Sequence, residues 1–212
     1  MRFTVAIDGP AAAGKGTIAR AVAERFDFHH LDTGLLYRVV ARKLLDLGRL
    51  DDAESEAPVL AAGLSEADLA LNGLRDDPVS EAAARIAVLP EVRDALIGFQ
   101  RWFAGREGGA VLDGRDIGTV VCPDAEVKLF VTAAEDIRAR RRFREMHGRG
   151  ETLTPDEVLQ TIRARDALDS GRGVAPLRQA VDAVLLDTSE LTIESAAARA
   201  VAVVEKGLGR GR

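Results

Sequence analysis

Apolar positions along the chain alternate between two periods. Short runs of strand length occur at Phe3 to Ile7, Ala110 to Leu112, Val127 to Val131 and Val181 to Leu186, with a shorter one at Phe28 to Leu31. Between them the spacing turns helical: Ile18, Ala21, Val22 and Phe26 fall at i, i+3, i+4 and i+8. Leu36, Val39, Val40, Lys43, Leu44 and Leu47 trace one face that ends at Gly48, a favourable C-terminal cap. This alternation predicts an α/β fold, a parallel sheet covered by helices on both faces.

Two stretches break the pattern. Residues 50 to 78 are acidic and punctuated by Gly63, Asn72-Gly73 and Pro78, and they read as a small peripheral insertion with neither a strong strand nor a long helix. Helical spacing resumes at Ser80 and again after Pro90, where Val92, Leu96, Phe99 and Phe103 share a face and Arg93 lies on its flank. The excursion of about 70 residues before the strand at Ala110 is too long for a connection, so a subdomain over the site is expected. In the second stretch Arg138, Arg140, Arg141, Arg142, Arg144 and Arg149 crowd together, edged by Gly148 and Gly150. A solvated basic helix face is one reading. The abrupt restart at Thr154-Pro155-Asp156-Glu157, a capping box with Pro at the first helical position, favours a mobile lid over phosphates.

Composition narrows the partners. The 212 residues suffice for one well-buried domain, and 29 basic against 34 acidic side chains leave a net charge of -5. General attraction to a nucleic acid polymer is thereby excluded, and anion binding must be local. Only Lys15, Lys43, Lys128 and Lys206 are lysines, so 25 of the basic residues are arginines, the better bidentate grip on phosphate. The single cysteine, Cys122, permits no internal disulfide and reads as a small buried hydrophobe. No leader and no run of membrane-span length is found, so a cytoplasmic protein without membrane contact is expected, acting as a monomer.

The sharpest chemical signal is Gly9-Pro10-Ala11-Ala12-Ala13-Gly14-Lys15-Gly16-Thr17, directly after the first strand and opening the first helix. Inward-pointing backbone N–H groups and a helix N-terminus make such a P-loop a polyphosphate cradle, with Lys15 on the β- and γ-phosphates. Gly16 stands where a magnesium-ligating Ser or Thr is usual, and Thr17 follows. That departure argues against a GTPase or motor geometry and for a small nucleotide kinase, with magnesium on phosphates and water.

Three further clusters fall at expected strand ends, where open α/β folds bind ligands. They are Leu31-Asp32-Thr33-Gly34-Leu35-Leu36-Tyr37-Arg38, with Thr33 able to cap a helix, Asp113-Gly114-Arg115-Asp116, and Arg165-Asp166-Ala167-Leu168-Asp169-Ser170-Gly171-Arg172. Each has a plainer reading: Arg38 as a surface residue, Asp113-Gly114 as a turn, Arg165 with Asp169 as an exposed i, i+4 pair. His29 and His30, beside a strand-like run, read as packing residues.

These segments in order, with Asp113 to Val121, Val174-Ala175-Pro176-Leu177 and Leu186-Asp187-Thr188-Ser189, resemble the bacterial cytidylate kinase family over nearly the whole chain. The resemblance implies a P-loop nucleoside monophosphate kinase fold: a parallel five-stranded sheet flanked by helices, with a core (1–34, 107–137 and 156–212), a monophosphate-binding subdomain (35–106) and a lid (138–155). It implies ATP-dependent phosphorylation of CMP and dCMP in pyrimidine nucleotide metabolism, with Mg2+ accompanying ATP and no direct metal ligand from the protein. Residue by residue, Arg38 and Arg115 would hold the CMP phosphate, Arg93 and Asp116 the cytosine edge, and Arg165 and Asp169 the ribose hydroxyls. Arg172 would reach the phosphates, Thr33 and Tyr37 would lie near the nucleotide, and Arg138, Arg141 and Arg142 would close on the transferred group beside Lys15. Ala84 stands where the family has a small residue such as Ser near the base, and the insertion is short for the family. The alternatives are a P-loop kinase of UMP or a small metabolite, and a nucleotide-hydrolysing switch protein.

Overall fold

The computed structural model of the chain describes residues 1–210. Five strands, β1 (Thr4–Asp8), β2 (His29–Asp32), β3 (Ala110–Gly114), β4 (Val127–Thr132) and β5 (Val184–Asp187), form one sheet in the order β2-β3-β1-β4-β5. β1 lies in the middle, parallel to β3 in the register Thr4 to Ala110 and to β4 in the register Val5 to Val127, and β4 runs parallel to β5. The chain winds to one side of β1 and then to the other, so the switch in strand order falls at the C-terminal end of β1, where such sheets bind ligands.

Two compact units make up the chain. The first comprises Met1–Leu31 together with the chain from Ala104 onward, the second Asp32–Phe103. In the first, one sheet face presents Val5, Ile7, Val111, Val127, Leu129, Val131 and Leu186. Helix α1 (Lys15–Phe26) covers it with Ile18, Ala19, Val22 and Ala23, and α8 (Ile193–Arg210) with Ala196, Ala200 and Val204. Burial of these aliphatic side chains is the main force holding the unit together. The fifth strand is shorter than the run at Val181 to Leu186 suggests. It starts at Val184, because Ala183 donates its N–H to the Ala180 carbonyl in a turn that leaves Val181 fully exposed.

The second unit is helical. It contains α2 (Thr33–Asp46), α3 (Ala53–Ala62), α4 (Asp77–Ile86) and most of α5 (Pro90–Ala104), with 3-10 turns at Leu50–Asp52 and Glu66–Ala70. Leu36, Val39, Val40 and Leu44 of α2 are wholly buried, and α2 packs on α3 and α4. The region 50–78 is more ordered than its composition suggests. Ala53, Ala57 and Ala61 form a buried stripe at i, i+4 and i+8, and Glu54 and Glu56 in the first turn complement the helix dipole. Helix α3 forms despite Pro58 within it. Among the described residues no strand lies in this region, and no helix is long and apolar enough to cross a membrane.

Candidate active site

The loop after β1 is shaped by glycine where no other residue fits. Gly9 has φ 150, and a Cβ there would stand 1.9 Å from the Val131 carbonyl oxygen of β4. Gly14 is left-handed at φ 95 and forms the N-cap of α1 without a side-chain cap, the kind of helix N-terminus that suits an anion. Lys15 is buried, and its Nζ donates to the Pro10 carbonyl at 2.8 Å.

Carbonyls of the loop are braced by two arginines expected in a lid, Arg138 and Arg141, and by Thr188 outside it. Arg138 Nη1 donates to the Ala11 carbonyl at 3.3 Å, and Thr188 Oγ1 to the Ala13 carbonyl at 3.1 Å. Arg141 reaches the same Ala13 oxygen at 3.5 Å and Thr188 Oγ1 at 2.9 Å. The basic stretch is itself helical, α6 (Glu135–His147), rather than a loose segment between helices. Its charges find carboxylates within the protein: Arg138 pairs with Asp166 at 2.7 Å, Arg140 with Asp136 at 3.2 Å, and Arg142 with Glu145 at 3.1 Å. Arg149 also bonds Glu145. These four are paired within the protein, while Arg141 still feels the charge of Arg144. Burial lowers the pKa of Arg141, with Arg144 adding to it, yet an arginine stays charged.

The acceptor-type residues of the first unit gather on one carboxylate. Asp169, on α7 (Pro155–Gly171), is 0% exposed and accepts from Arg115 Nε at 2.6 Å. Arg165 lies 3.3 Å from it, and Arg172 also bonds it, just past the helix end at Gly171. Burial alone would raise the Asp169 pKa, but Arg115, Arg165 and Arg172 outweigh it and hold the carboxyl below its ordinary range. A depressed carboxyl pKa contributes stability that is present above the ordinary range and lost as pH falls through the folded value. Asp169→Asn should therefore cost about 1–3 kcal/mol at pH 7 and still most of it at pH 4, measured by urea unfolding of both proteins. A difference that vanishes by pH 4 would contradict the depressed pKa.

At the end of β3 the strand runs on through Asp113 and Gly114 before the chain turns. Asp113 is not merely a turn residue, since its Oδ1 lies 2.7 Å from His30 Nε2, and its Oδ2 lies 3.8 Å from where a Cβ on Gly16 would stand. His30 is thus a polar partner rather than a packing residue, while His29 is exposed. Asp116 is buried and opens a five-residue π-type turn, Ile117–Val121, its carbonyl accepting from Val120 N–H at 2.9 Å. Asp8, the last residue of β1, was not singled out by the sequence reading. It is buried and takes the N–H groups of Ile117 and Gly118 on its two oxygens. Its only sequence signal is a carboxylate ending an apolar strand immediately before Gly9. Asp166 and Thr188 were likewise passed over as bracing residues.

In the second unit Asp32, not Thr33, is the N-cap of α2, accepting from Gly34 N–H at 3.1 Å. β2 carries the chain extended through Asp32, which places Thr33 already in the helix, buried. Arg38 donates to the Leu74 carbonyl at 3.0 Å and to Ser80 Oγ at 2.6 Å. Arg93 is 6% exposed rather than on a flank, with its guanidinium 5.8 Å from the centre of the Tyr37 ring and a bond to the Ala87 carbonyl. Ala84 is half-buried on α4. Among the described residues no group of three or more His, Cys, Asp or Glu side chains could hold a metal ion.

A family model described as cytidylate kinase matches residues 5–206. The chain is 59% identical over 213 residues to a cytidylate kinase of Cereibacter sphaeroides, covering all of both chains. It is 55% identical over 202 residues to a cytidylate kinase of Methylocella silvestris, covering 95% of this chain and 93% of the relative. Among solved structures it is similar to a gluconokinase from Sinorhizobium meliloti, with TM-score 0.51 at 15% identity over 99% of this chain and 93% of the other, a likeness of fold.

Proposed function

The chain belongs to the cytidylate kinase family, and on that premise we propose how its residues divide the transfer of a phosphoryl group from ATP to CMP or dCMP. The observation that carries the reading is the cluster on Asp169: three guanidinium groups, those of Arg115, Arg165 and Arg172, share one buried carboxylate. Three positive charges against one negative leave an excess that suits a phosphate dianion. The P-loop is a separate anion cradle with its own cation, Lys15, so the chain has one set of groups for a donor polyphosphate and another for an acceptor phosphate.

In this reading Gly9 to Thr17 wrap the ATP phosphates, and Lys15 exchanges the Pro10 carbonyl for the β- and γ-phosphate oxygens. Arg115, Arg172 and Arg38 hold the acceptor phosphate, while Asp116 accepts from the cytosine amino group and Arg93 donates to the ring. Thr33 and Tyr37 line the nucleotide. Asp169, buried beneath the arginines, acts in the free chain by holding Arg115, Arg165 and Arg172 together, and with the acceptor bound Arg165 and Asp169 meet the ribose hydroxyls. Residues 35–106 serve as the monophosphate-binding subdomain. In the lid, residues 138–155, Arg138, Arg141 and Arg142 close on the transferred group, Arg138 and Arg141 from positions where they brace the P-loop and Arg142 from its pair with Glu145. Magnesium enters as part of the ATP substrate, because Gly16 supplies no hydroxyl where a Ser or Thr usually ligates the metal. Charge neutralisation and in-line placement of two nucleotides then account for the transfer, with no covalent intermediate on the protein.

A coupled assay of ADP release with CMP, dCMP, UMP or AMP tests this. CMP and dCMP should stimulate release over the acceptor-free rate by about a hundredfold or more, since water is a poor competitor in a closed kinase site. Release without an acceptor at the same rate would favour a hydrolysing switch, and stimulation by UMP alone would favour the other acceptor.

A further inference from the structure

We propose that Asp8 is a positioning residue for the acceptor nucleotide, fixing the Arg115-Asp116 segment against the end of β1 from which the P-loop departs. The inference rests on the reading above that Arg115 and Asp116 contact that nucleotide. The β1–β3 ladder ends at the pair Asp8 and Gly114. Beyond Gly114 the chain leaves the sheet, and the two residues meant to face the acceptor lie in the part without ladder bonds. The next tie back to β1 is the Asp8 side chain: Oδ1 accepts from Ile117 N–H at 2.8 Å and Oδ2 from Gly118 N–H at 2.7 Å. Two bonds from consecutive amides to the two oxygens of one carboxylate fix orientation as well as distance. Arg115 and Asp116 are therefore bounded by β1 on both sides, through Gly114 before them and through Ile117 and Gly118 after them.

Position 118 is tight around its Gly. A Cβ there would stand 3.3 Å from Asp8 Oδ2 and 3.2 Å from Lys128 Cδ, so an alanine would press on the carboxylate and on the Lys128 stem, and one of them would have to give by a few tenths of an ångström. The clamp also depends on ionisation, because a protonated carboxyl turns one of its two accepting oxygens into a donor facing an N–H. Burial pushes Asp8 up to about 6, partly offset by the two N–H bonds. Asp116 pushes it further up, while Lys15 on α1 pulls it down. From β4, Lys128 turns its ammonium to Asp182, and on β3 Asp113 pairs with His30. The clamp thus loosens as pH falls through about 6.

The test measures KM for CMP, KM for ATP and kcat per folded enzyme, the folded fraction coming from thermal unfolding, in the parent protein and in Asp8→Asn, Gly118→Ala and Asp116→Ala. Asp8→Asn should raise KM for CMP about tenfold and leave KM for ATP within about twofold, with a smaller rise in the same direction for Gly118→Ala. Between pH 7.5 and 5.5 KM for CMP should rise more in the parent than in Asp8→Asn, the titration of the substrate phosphate being common to both. An unchanged KM for CMP in Asp8→Asn and Gly118→Ala, or equal rises for CMP and ATP, would overturn the assignment and leave Asp8 as a fold staple only. If Asp8→Asn does not fold, Gly118→Ala decides by the same criterion. An effect of Asp116→Ala without one from the clamp variants defeats the Asp8 proposal alone, whereas no effect of Asp116→Ala on KM for CMP defeats the acceptor assignment and the proposal together.

Discussion

Lys15→Ala should lower kcat by about a thousandfold while shifting stability by no more than about 1 kcal/mol. The asymmetry follows from what the side chain does in each state. In the free protein its Nζ donates to the Pro10 carbonyl, five residues away in the same loop, and its charge favours the Asp8 carboxylate, local interactions that stand apart from the aliphatic packing of the sheet against α1. During transfer it would stand beside charge spreading over the γ-phosphoryl group in a site from which water is excluded, where a fixed cation is worth several kcal/mol. Turnover at saturating ATP and CMP, paired with a urea unfolding curve, separates the two effects. Turnover within tenfold of the parent would remove Lys15 from the chemistry, and a lost folding transition would make it structural.

Gly9→Ala should behave in the opposite way and destabilise the protein by more than about 4 kcal/mol. Its Cβ would overlap the Val131 carbonyl oxygen at 1.9 Å, and that oxygen belongs to the backbone of β4, held between β1 and β5. Neither partner is a flexible side-chain tip, and φ 150 is itself unfavourable for alanine. Gly14→Ala is the internal comparison. Nothing lies within 4 Å of its would-be Cβ, so only the left-handed φ of 95 is penalised, by about 1 kcal/mol. Unfolding of the two variants side by side checks the argument, and equal losses would show that close packing at Gly9 does not matter.

These contrasts indicate what can be read from a one-dimensional pattern. The strands of the sheet show as apolar runs, and the P-loop shows because glycine and lysine at fixed spacing have few other uses between a strand and a helix. Helix α3 escapes the same reading because its buried stripe is alanine, which hardly differs from its neighbours in hydropathy, and because Pro58 argues locally against it. Placement of side-chain charge escapes for a different reason. The arginines of α6 look mutually repulsive until Asp166, 28 residues from Arg138, and Glu145 are brought alongside. Likewise the partners of Asp8 are the amides of Ile117 and Gly118, more than a hundred residues on. A carboxylate that binds backbone N–H groups leaves no sequence signature in its partner, because every residue but proline has that group. The arginine set on Asp169 lies between the two cases: its members could be named from their motifs, but that they share one buried oxygen pair is a property of the fold.

The position of β1 in the sheet also bears on how the chain comes into being. Its two neighbours join it through Ala110 and Val127, against Thr4 and Val5 of β1 itself. On the ribosome, at about 5–20 residues per second, the apolar segment at Thr4 to Asp8 waits roughly 5–20 s for its first neighbour in the ladder. The helices between Thr33 and Ala104 are made during that interval, and their mutual contacts are short in sequence. Synthesis therefore brings out the strand that centres the sheet first and the strands that shield it late, which places the period of greatest aggregation risk before residue 110 has been added.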